Sequence, residues 1–308
     1  MSILRVTLLG TSAAQPTLRR GLSATSVRAH RDHFLVDCGE GTQRQLLRFG
    51  TGFDVDFVLF THFHADHYLG IIGFLRTMAM GGRTAPLALY GPRPFGDEDR
   101  LGIQLELDRE DMPFHVFFRR LLGGERIQRD GYAVRAVPVE HRVPALGYVL
   151  EEPPRPGVFD VARARALGVP EGPLFGLLQR GQAVALPDGR QIVPNDVVGP
   201  ARRGRKVAFS GDTRPCPALI EAAAGADLLI HDGTFATAER ARAVETGHST
   251  VAEAAEVAAR AGVRELVLTH VSSRYADTGL LLAEARAVFD GPVTVADDGF
   301  EREIPLPA

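Results

Sequence analysis

Residues 61–67 read Thr61-His62-Phe63-His64-Ala65-Asp66-His67, directly after the apolar run 57–60. Neutral imidazole nitrogen and carboxylate oxygen are the donors that zinc takes, and a loop leaving a strand end can turn such side chains toward one point. An isolated histidine is ordinarily a core or surface residue, but packing does not call for a His-x-His-x-Asp-His cluster. Four donors cannot fill two metal sites. Three further candidates stand at the ends of strand-like runs: His141 after 133–139, Asp212 after 207–210 and His270 after 266–269. Open α/β sheets gather their chemistry at such ends. The expected arrangement places His62, His64 and His141 on one metal, Asp66, His67 and His270 on the other, and Asp212 between them. Two zinc ions suit these donors, and manganese accepts the same set.

The elements that must hold these residues follow from hydrophobic pattern. Strand-like runs occupy 3–9, 33–36, 57–60, 87–90, 133–139 and 146–150. A later set, at 207–210, 228–231, 265–269 and 293–296, alternates with helical patterns at 217–224, 251–261 and 280–289. This alternation predicts a layered α/β fold, with the early strands supplying a more antiparallel portion. Between the two sets lies 152–204, rich in proline and glycine, with one short helical stretch at 159–167 closed by Gly168. A loop of this length is either a functional insertion or a linker between two domains.

The 308 residues, 45% of them hydrophobic, suffice for one large domain with a sizeable core. A net charge of −3 excludes a uniformly basic nucleic-acid binder. The charge is uneven, however: 151–206 carries nine Arg or Lys against six Asp or Glu, leaving the rest of the chain at −6. Lys206 is the sole lysine, so the positive charge is guanidinium, which suits bidentate phosphate contacts; a codon-usage bias is the plain alternative. Arg5 and Thr7 interrupt the first apolar stretch, which is too short for a signal core or a membrane span. A cytoplasmic protein with no membrane partner is expected. Cys38 and Cys216 lie far apart and outside any Cys-x-x-Cys pair, which indicates free thiols.

Together, the seven candidate ligands resemble the metal-binding set of the metallo-β-lactamase superfamily. The resemblance implies an α/β fold, a four-layer αβ/βα sandwich with the site on its edge, formed by residues 1–308 as a single domain. Asp37, in Val36-Asp37-Cys38-Gly39-Glu40-Gly41, matches a superfamily position that accepts a hydrogen bond from a ligating imidazole. An aspartate opening a Gly-rich turn is also ordinary turn chemistry. Within the superfamily, Gly10-Thr11-Ser12 with 16–20, the turn 37–43, Tyr90-Gly91-Pro92 and 209–216 are similar to the ribonuclease Z family, and the likeness runs from Leu9 to Asp298. Gly172-Pro173-Leu174-Phe175 followed by Gly181 resembles the flexible exosite arm with which that family grips the tRNA elbow. The arm would span 152–204, with Gly172, Pro173, Phe175 and Arg180 contacting tRNA.

Two more loops carry the likeness. His231-Asp232-Gly233-Thr234 resembles the family's His-Glu-Ala-Thr loop, and Gly247-His248-Ser249-Thr250 its His-Ser-Thr loop. The resemblance implies His248 as general acid and Asp232 as the group that orients it. It also implies Asp66 as a ligand that takes a proton from the attacking water, and Ser249 and Thr250 as substrate contacts. Thr250 with Glu253 forms a capping-box pattern at the start of the 251–261 helix, whose N-terminal amides are placed to attract phosphate. Three departures stand out. Asp232 is one methylene shorter than the family's Glu and is expected to hold His248 more loosely. Leu18 and Gly21 replace basic and amide residues in a loop near the cleavage site. Gln179 stands where the arm typically has Lys, which shifts arm binding toward Arg180.

The implied activity is a zinc-dependent endoribonuclease that removes the 3′ trailer from precursor tRNA. It would leave a 3′ hydroxyl on the tRNA and a 5′ phosphate on the trailer, and work as a homodimer with two zinc ions per subunit. Two other readings stand beside it. A generic two-metal hydrolase of small phosphodiesters, thioesters or lactones would use the same metal site but has no need of a long basic arm. A non-catalytic RNA-binding protein on a retired hydrolase fold would have lost ligands, and here all seven are present.

Overall fold

The computed structural model describes residues 3–93 and 112–307. In chain order the strands are β1 (Leu4–Gly10), β2 (Ser12–Ala13), β3 (Ala24–Ala29), β4 (Asp32–Val36), β5 (Phe57–Leu59), β6 (Leu87–Gly91), β7 (Val116–Arg120), β8 (Arg126–Arg129) and β9 (Tyr132–Pro138). They continue with β10 (Leu146–Glu151), β11 (Val184–Ala185), β12 (Gln191–Ile192), β13 (Lys206–Phe209), β14 (Leu228–Asp232), β15 (Leu266–Thr269), β16 (Val271–Ser272), β17 (Val293–Val295) and β18 (Glu301–Glu303). One seven-stranded sheet has the order β18-β1-β3-β4-β5-β6-β7, the other β17-β15-β14-β13-β10-β9-β8.

Antiparallel pairing was expected of the early strands, but the division runs through both sheets instead. The first sheet is antiparallel from β18 to β4 and parallel from β4 to β7. The second is parallel from β17 to β13 and antiparallel from β13 to β8. The reason is two crossover helices not read from the sequence, Thr42–Arg48 between β4 and β5 and Gly70–Met80 between β5 and β6. A parallel pair needs such a connection.

Alternation along the strands sets the layers. Leu228 and Ile230 of β14 join Val6, Phe34, Phe57, Tyr148 and Val207 in a core between the sheets. Leu229, between them, faces Leu219, Ala254, Ala258 and Leu281 on the helices Pro217–Ala222, Val251–Ala261 and Gly279–Arg286. On the far side of the first sheet, Leu35 and Val58 pack on Leu46, Ile71, Phe74 and Leu75 of the two crossover helices. Helix, sheet, sheet, helix is the four-layer order, each amphipathic face buried once.

Glu152–Arg205, with the chain from Leu306, is a compact unit of its own. One helix was expected there. The unit has two, Val161–Ala166 and Pro173–Gln179, and the hairpin β11–β12. Ala164, Leu178, Val184, Ile192 and Val197 form its separate small core, and a buried Arg205–Glu152 pair closes its base. Leucine and valine scattered among the prolines and glycines supply that core, so the segment is not a structureless linker.

The capping box at Val251–Ala261 is present. Thr250 Oγ1 accepts the Glu253 N–H at 3.2 Å, and Glu253 Oε2 accepts the Thr250 N–H at 3.0 Å. Burial disfavours the Glu253 charge, but Arg214, the Thr250 amide and Arg240 hold its pKa at about 2. Against an ordinary glutamate value of about 4.3, the stabilisation is complete above that value and is lost as pH falls toward the folded value. Urea midpoints of the wild type and Glu253→Gln are therefore expected to differ most at neutral pH and to converge on acidification. A gap that stays constant with pH contradicts the assignment.

Candidate metal centre

β9 and β13 both flank β10 antiparallel, so β9 runs parallel to β13, and the carboxyl ends of β9, β13, β14 and β15 share one edge. Past those ends stand His141, Asp212 and His270. From the first sheet, the segment after β5 delivers His62, His64, Asp66 and His67, with the last two on the one-turn helix Ala65–Tyr68. All seven predicted ligands converge. His62, His64, His141 and Asp212 offer donor atoms within 4.8 Å of one another, as do Asp66, His67 and His270. Asp212 Oδ2 lies 3.6 Å from His62 Nε2, 3.2 Å from His67 Nε2 and 3.4 Å from His270 Nε2, and thus between the two groups.

Whether these residues fit a metal turns on where the imidazole protons are. His67 Nδ1 donates to Asp37 Oδ2 (2.8 Å), His141 Nδ1 to the Gly247 carbonyl (2.7 Å), His62 Nδ1 to Thr61 Oγ1 (3.1 Å) and His270 Nδ1 to Thr234 Oγ1 (2.9 Å). The two hydroxyls are free to accept because each gives its own proton to a carboxylate, Thr61 to Asp37 and Thr234 to Asp232. This network assigns the tautomers. With each ring neutral, four Nε2 atoms then turn lone pairs inward. His67 and His270 meet Nε2 to Nε2 at 3.3 Å, and His64 Nδ1 sits 2.9 Å from His62 Nε2 and 3.2 Å from His141 Nε2. A buried acceptor left without a donor costs about 1–3 kcal/mol, so the inward Nε2 atoms of His62, His67 and His270, crowded together around Asp212, call for a cation.

Charge agrees. Burial pushes the His62 pKa well below the imidazole range and that of His64 down to about 4, keeping both neutral. Burial alone would neutralise Asp212, but the surrounding imidazoles, His270 first, hold it well below the carboxylate range. Burial also opposes charge on His67, yet Asp212 and Asp37 outweigh it and raise its pKa; the proton they attract is one that metal binding releases. The donor set fits two divalent ions.

The backbone bends sharply to achieve this. Asp37 (φ 61°), His270 (φ 58°) and Ala14 (φ 56°) adopt left-handed conformations, uncommon for residues with a side chain, and all three serve this site. The Ala14 N–H donates to Asp66 Oδ2 at 2.8 Å. Gly247 is required as glycine: at φ 75° its Cβ would stand 2.9 Å from the His141 ring nitrogen that its own carbonyl binds.

His248 and Asp232 lie beside the ligands. His248 Nδ1 is 2.9 Å from Asp232 Oδ2, and its ring stacks on that of His270 with centroids 5.1 Å apart. Burial works against the charged ring, but Asp232 and Asp212 raise its pKa to about 9. The shorter Asp232 was expected to hold His248 loosely. Instead Asp232 is fixed by the Thr213, Thr234 and Ser249 amides and the Thr234 hydroxyl, and keeps full contact.

Ser249 and Thr250, expected to touch substrate, are buried. Ser249 Oγ donates to the Thr213 carbonyl (2.6 Å), and Thr250 caps its helix with Glu253 directed at its amide. The helix start that was expected to attract phosphate thus already faces a carboxylate. In the arm, Gly172, Pro173 and Arg180 are exposed, whereas Phe175 is half-buried against Phe159, ring centroids 4.8 Å apart. Unforeseen from the sequence are Thr61, Thr234 and the Gly247 carbonyl, which orient ligands, and Arg142, Arg242 and Arg274, which line a cavity of 490 Å³ in front of His64, Asp66 and His248. The Thr61 hydroxyl adjoins the ligand run; nothing local marks the arginines. Replacing Asp37 with Asn is expected to weaken divalent-metal binding about 10–100-fold, the usual effect of removing a ligand's orienting partner, as measured by chelator competition. Unchanged affinity contradicts this role.

Comparison with known proteins agrees with this geometry. Residues 20–178 match the metallo-beta-lactamase superfamily and 187–271 the beta-lactamase superfamily domain. The chain is 59% identical over 307 residues to ribonuclease Z of Myxococcus xanthus (strain DK1622), covering 99% of both chains. It is 45% identical over 305 residues to ribonuclease Z of Methanosarcina acetivorans, covering 98% of this chain and 99% of the relative. Among solved structures it is similar to human tRNase Z, short form, with a TM-score of 0.68 at 26% identity over 98% of this chain and 99% of that one. The metallo-beta-lactamase fold protein YhfI of Bacillus subtilis, TM-score 0.70 at 21% identity over 98% of this chain and 100% of that one, shares the fold. With relatives this similar over nearly the whole length, the chain belongs to the ribonuclease Z family of the metallo-β-lactamase superfamily.

Proposed function

We propose that this protein is a zinc-dependent endoribonuclease that removes the 3′ trailer of precursor tRNA, leaving a 3′ hydroxyl on the tRNA and a 5′ phosphate on the trailer. The observation that carries this reading is the convergence of seven ligating side chains beside the His248–Asp232 pair. Two metal ions in such a site supply a nucleophile at neutral pH and offset the negative charge of the phosphodiester. His62, His64 and His141 would hold one, Asp66, His67 and His270 the other, with Asp212 shared. Among the described residues, the hydrogen bonds and ion pairs of the Asp66 carboxylate run through Oδ2, which leaves Oδ1 to take a proton from the attacking water. His248, charged and oriented through Nδ1 by Asp232, presents its other ring nitrogen to protonate the departing ribose oxygen, a step worth about 10²–10⁴-fold. Arg142, Arg242 and Arg274 stand where the flanking phosphates would lie.

The arm 152–204 supports tRNA as the substrate over small phosphodiesters, thioesters or lactones. Its exposed Gly172, Pro173 and Arg180 belong to a folded unit rather than a linker. A homodimer is part of the same reading. Among the described residues no helix is long and apolar enough to cross a membrane, and a tRNA substrate supports a cytoplasmic location.

Incubation with precursor tRNA is expected to give one cut at the start of the 3′ trailer, with a 3′ hydroxyl and a 5′ phosphate at the new ends, and none after chelation. Asp66→Ala is expected to abolish cleavage while leaving tRNA binding largely intact; undiminished cleavage refutes its role. Deleting 157–198 should abolish precursor tRNA cleavage and spare a small phosphodiester. Equal cleavage of precursor tRNA by truncated and intact enzyme rules out the arm as exosite.

A further inference from the structure

The proposed acid His248 sits on a short loop that opens with Gly247, whose lack of a side chain leaves it little intrinsic stiffness. Asp232 fixes the ring at Nδ1. One hydrogen bond still lets the ring pivot about that nitrogen, so its other nitrogen is placed only if the backbone is fixed as well. A second anchor is present. Arg214, two residues beyond the ligand Asp212, donates from Nη1 to the His248 carbonyl at 2.5 Å and to Glu253 Oε2 at 2.7 Å, while its Nη2 pairs with Glu253 Oε1. The side chains of Arg214 and Glu253 are only 17% and 9% exposed, which shields the pair from solvent screening. Arg240 also reaches Glu253 but is 70% exposed, and such a partner adds little.

The backbone of the same segment is tied down on its other side. The Arg214 N–H donates to the Glu140 carbonyl at 2.7 Å, next to the ligand His141, and the Glu140 N–H donates to Thr213 Oγ1 at 3.1 Å. Thr213 also accepts the Ser249 hydroxyl at its carbonyl and gives its amide to Asp232. Residues 212–214 therefore join two ligands to the loop that carries the acid.

We propose that Arg214 is a positioning residue for His248: its guanidinium, fixed by Glu253, locks the acid-bearing loop to the segment that supplies Asp212. The inference rests on His248 being the acid. Geometry of this kind matters because a misplacement of about 1 Å can cost about 10²-fold in rate.

The test compares two leaving groups. The ribose oxygen of precursor tRNA departs poorly unless protonated, whereas the nitrophenolate of bis(4-nitrophenyl) phosphate departs without an acid. Arg214→Met, Arg214→Lys and Glu253→Gln are assayed on both substrates beside His248→Ala, with zinc content measured for each. Arg214→Met is expected to lower kcat on precursor tRNA by about 10–100-fold, with KM little changed and zinc content equal to wild type. The loss on the nitrophenyl ester should be about ten times smaller, the pattern of a missing acid. Arg214→Lys, which keeps a donor for the His248 carbonyl, should recover part of the rate, and Glu253→Gln should show the same pattern more weakly. Equal losses on both substrates, lowered zinc content, or no loss at all overturn the proposal. If His248→Ala itself hits both substrates equally, the acid reading falls and takes this proposal with it. If His248→Ala shows the split and no Arg214 or Glu253 variant does, only the positioning role falls.

Discussion

Imidazole has one proton to place and two nitrogens to place it on, and the site depends on that choice being made four times in the same sense. Asp37, Thr61, Thr234 and the Gly247 carbonyl each take an Nδ1 proton and so direct a lone pair inward. Reversing any one of them would aim an N–H at the position of a cation. The four acceptors come from the end of β4, the segment after β5, the loop after β14 and the turn after the helix Arg240–Thr246. Each is fixed through its own backbone, so the register of both sheets and the packing of the core between them set the tautomers. The apolar layers and the polar site are in this sense one construction.

The carboxylates divide the work by environment. Among the described residues the Asp37 carboxylate accepts from Thr61 and His67, and it serves orientation. Asp66 and Asp212 face the imidazole nitrogens and carry charge into the metal site. Asp232 collects three amides and a hydroxyl and still reaches His248, which keeps it ionised in full burial: desolvation would protonate it, and the neighbouring His248 first among other groups prevents this. The missing methylene relative to the family's Glu costs no contact, because the surrounding backbone closes on the shorter side chain.

Much of this was visible in the chain itself. His62 to His67 form a local cluster whose residue types admit few uses besides metal, and the strand ends before His141, Asp212 and His270 were legible because buried strands need continuous apolar runs. Other elements were hidden. The helix Gly70–Met80 spaces Ile71, Phe74, Leu75 and Met78 correctly, but Gly70 and Gly73 weaken the signal; Gly70 is there because a Cβ would meet the Gly39 carbonyl at 1.9 Å. β3, with two alanines and an arginine, has no strand-like composition, and its pairing with β1 and β4 makes it a strand.

The sequence by itself determined the kinds of donor, their number and the strand ends that carry them, because those are properties of residue type and of short-range pattern. It also determined the capping box at Thr250, which closes over three residues. Only the tertiary structure decided which nitrogen each imidazole turns inward, that Ser249 and Thr250 are enclosed, and that Arg214 reaches the His248 carbonyl 34 positions away. Contacts of that range depend on how the sheets and helices pack, and no local run of residues encodes them.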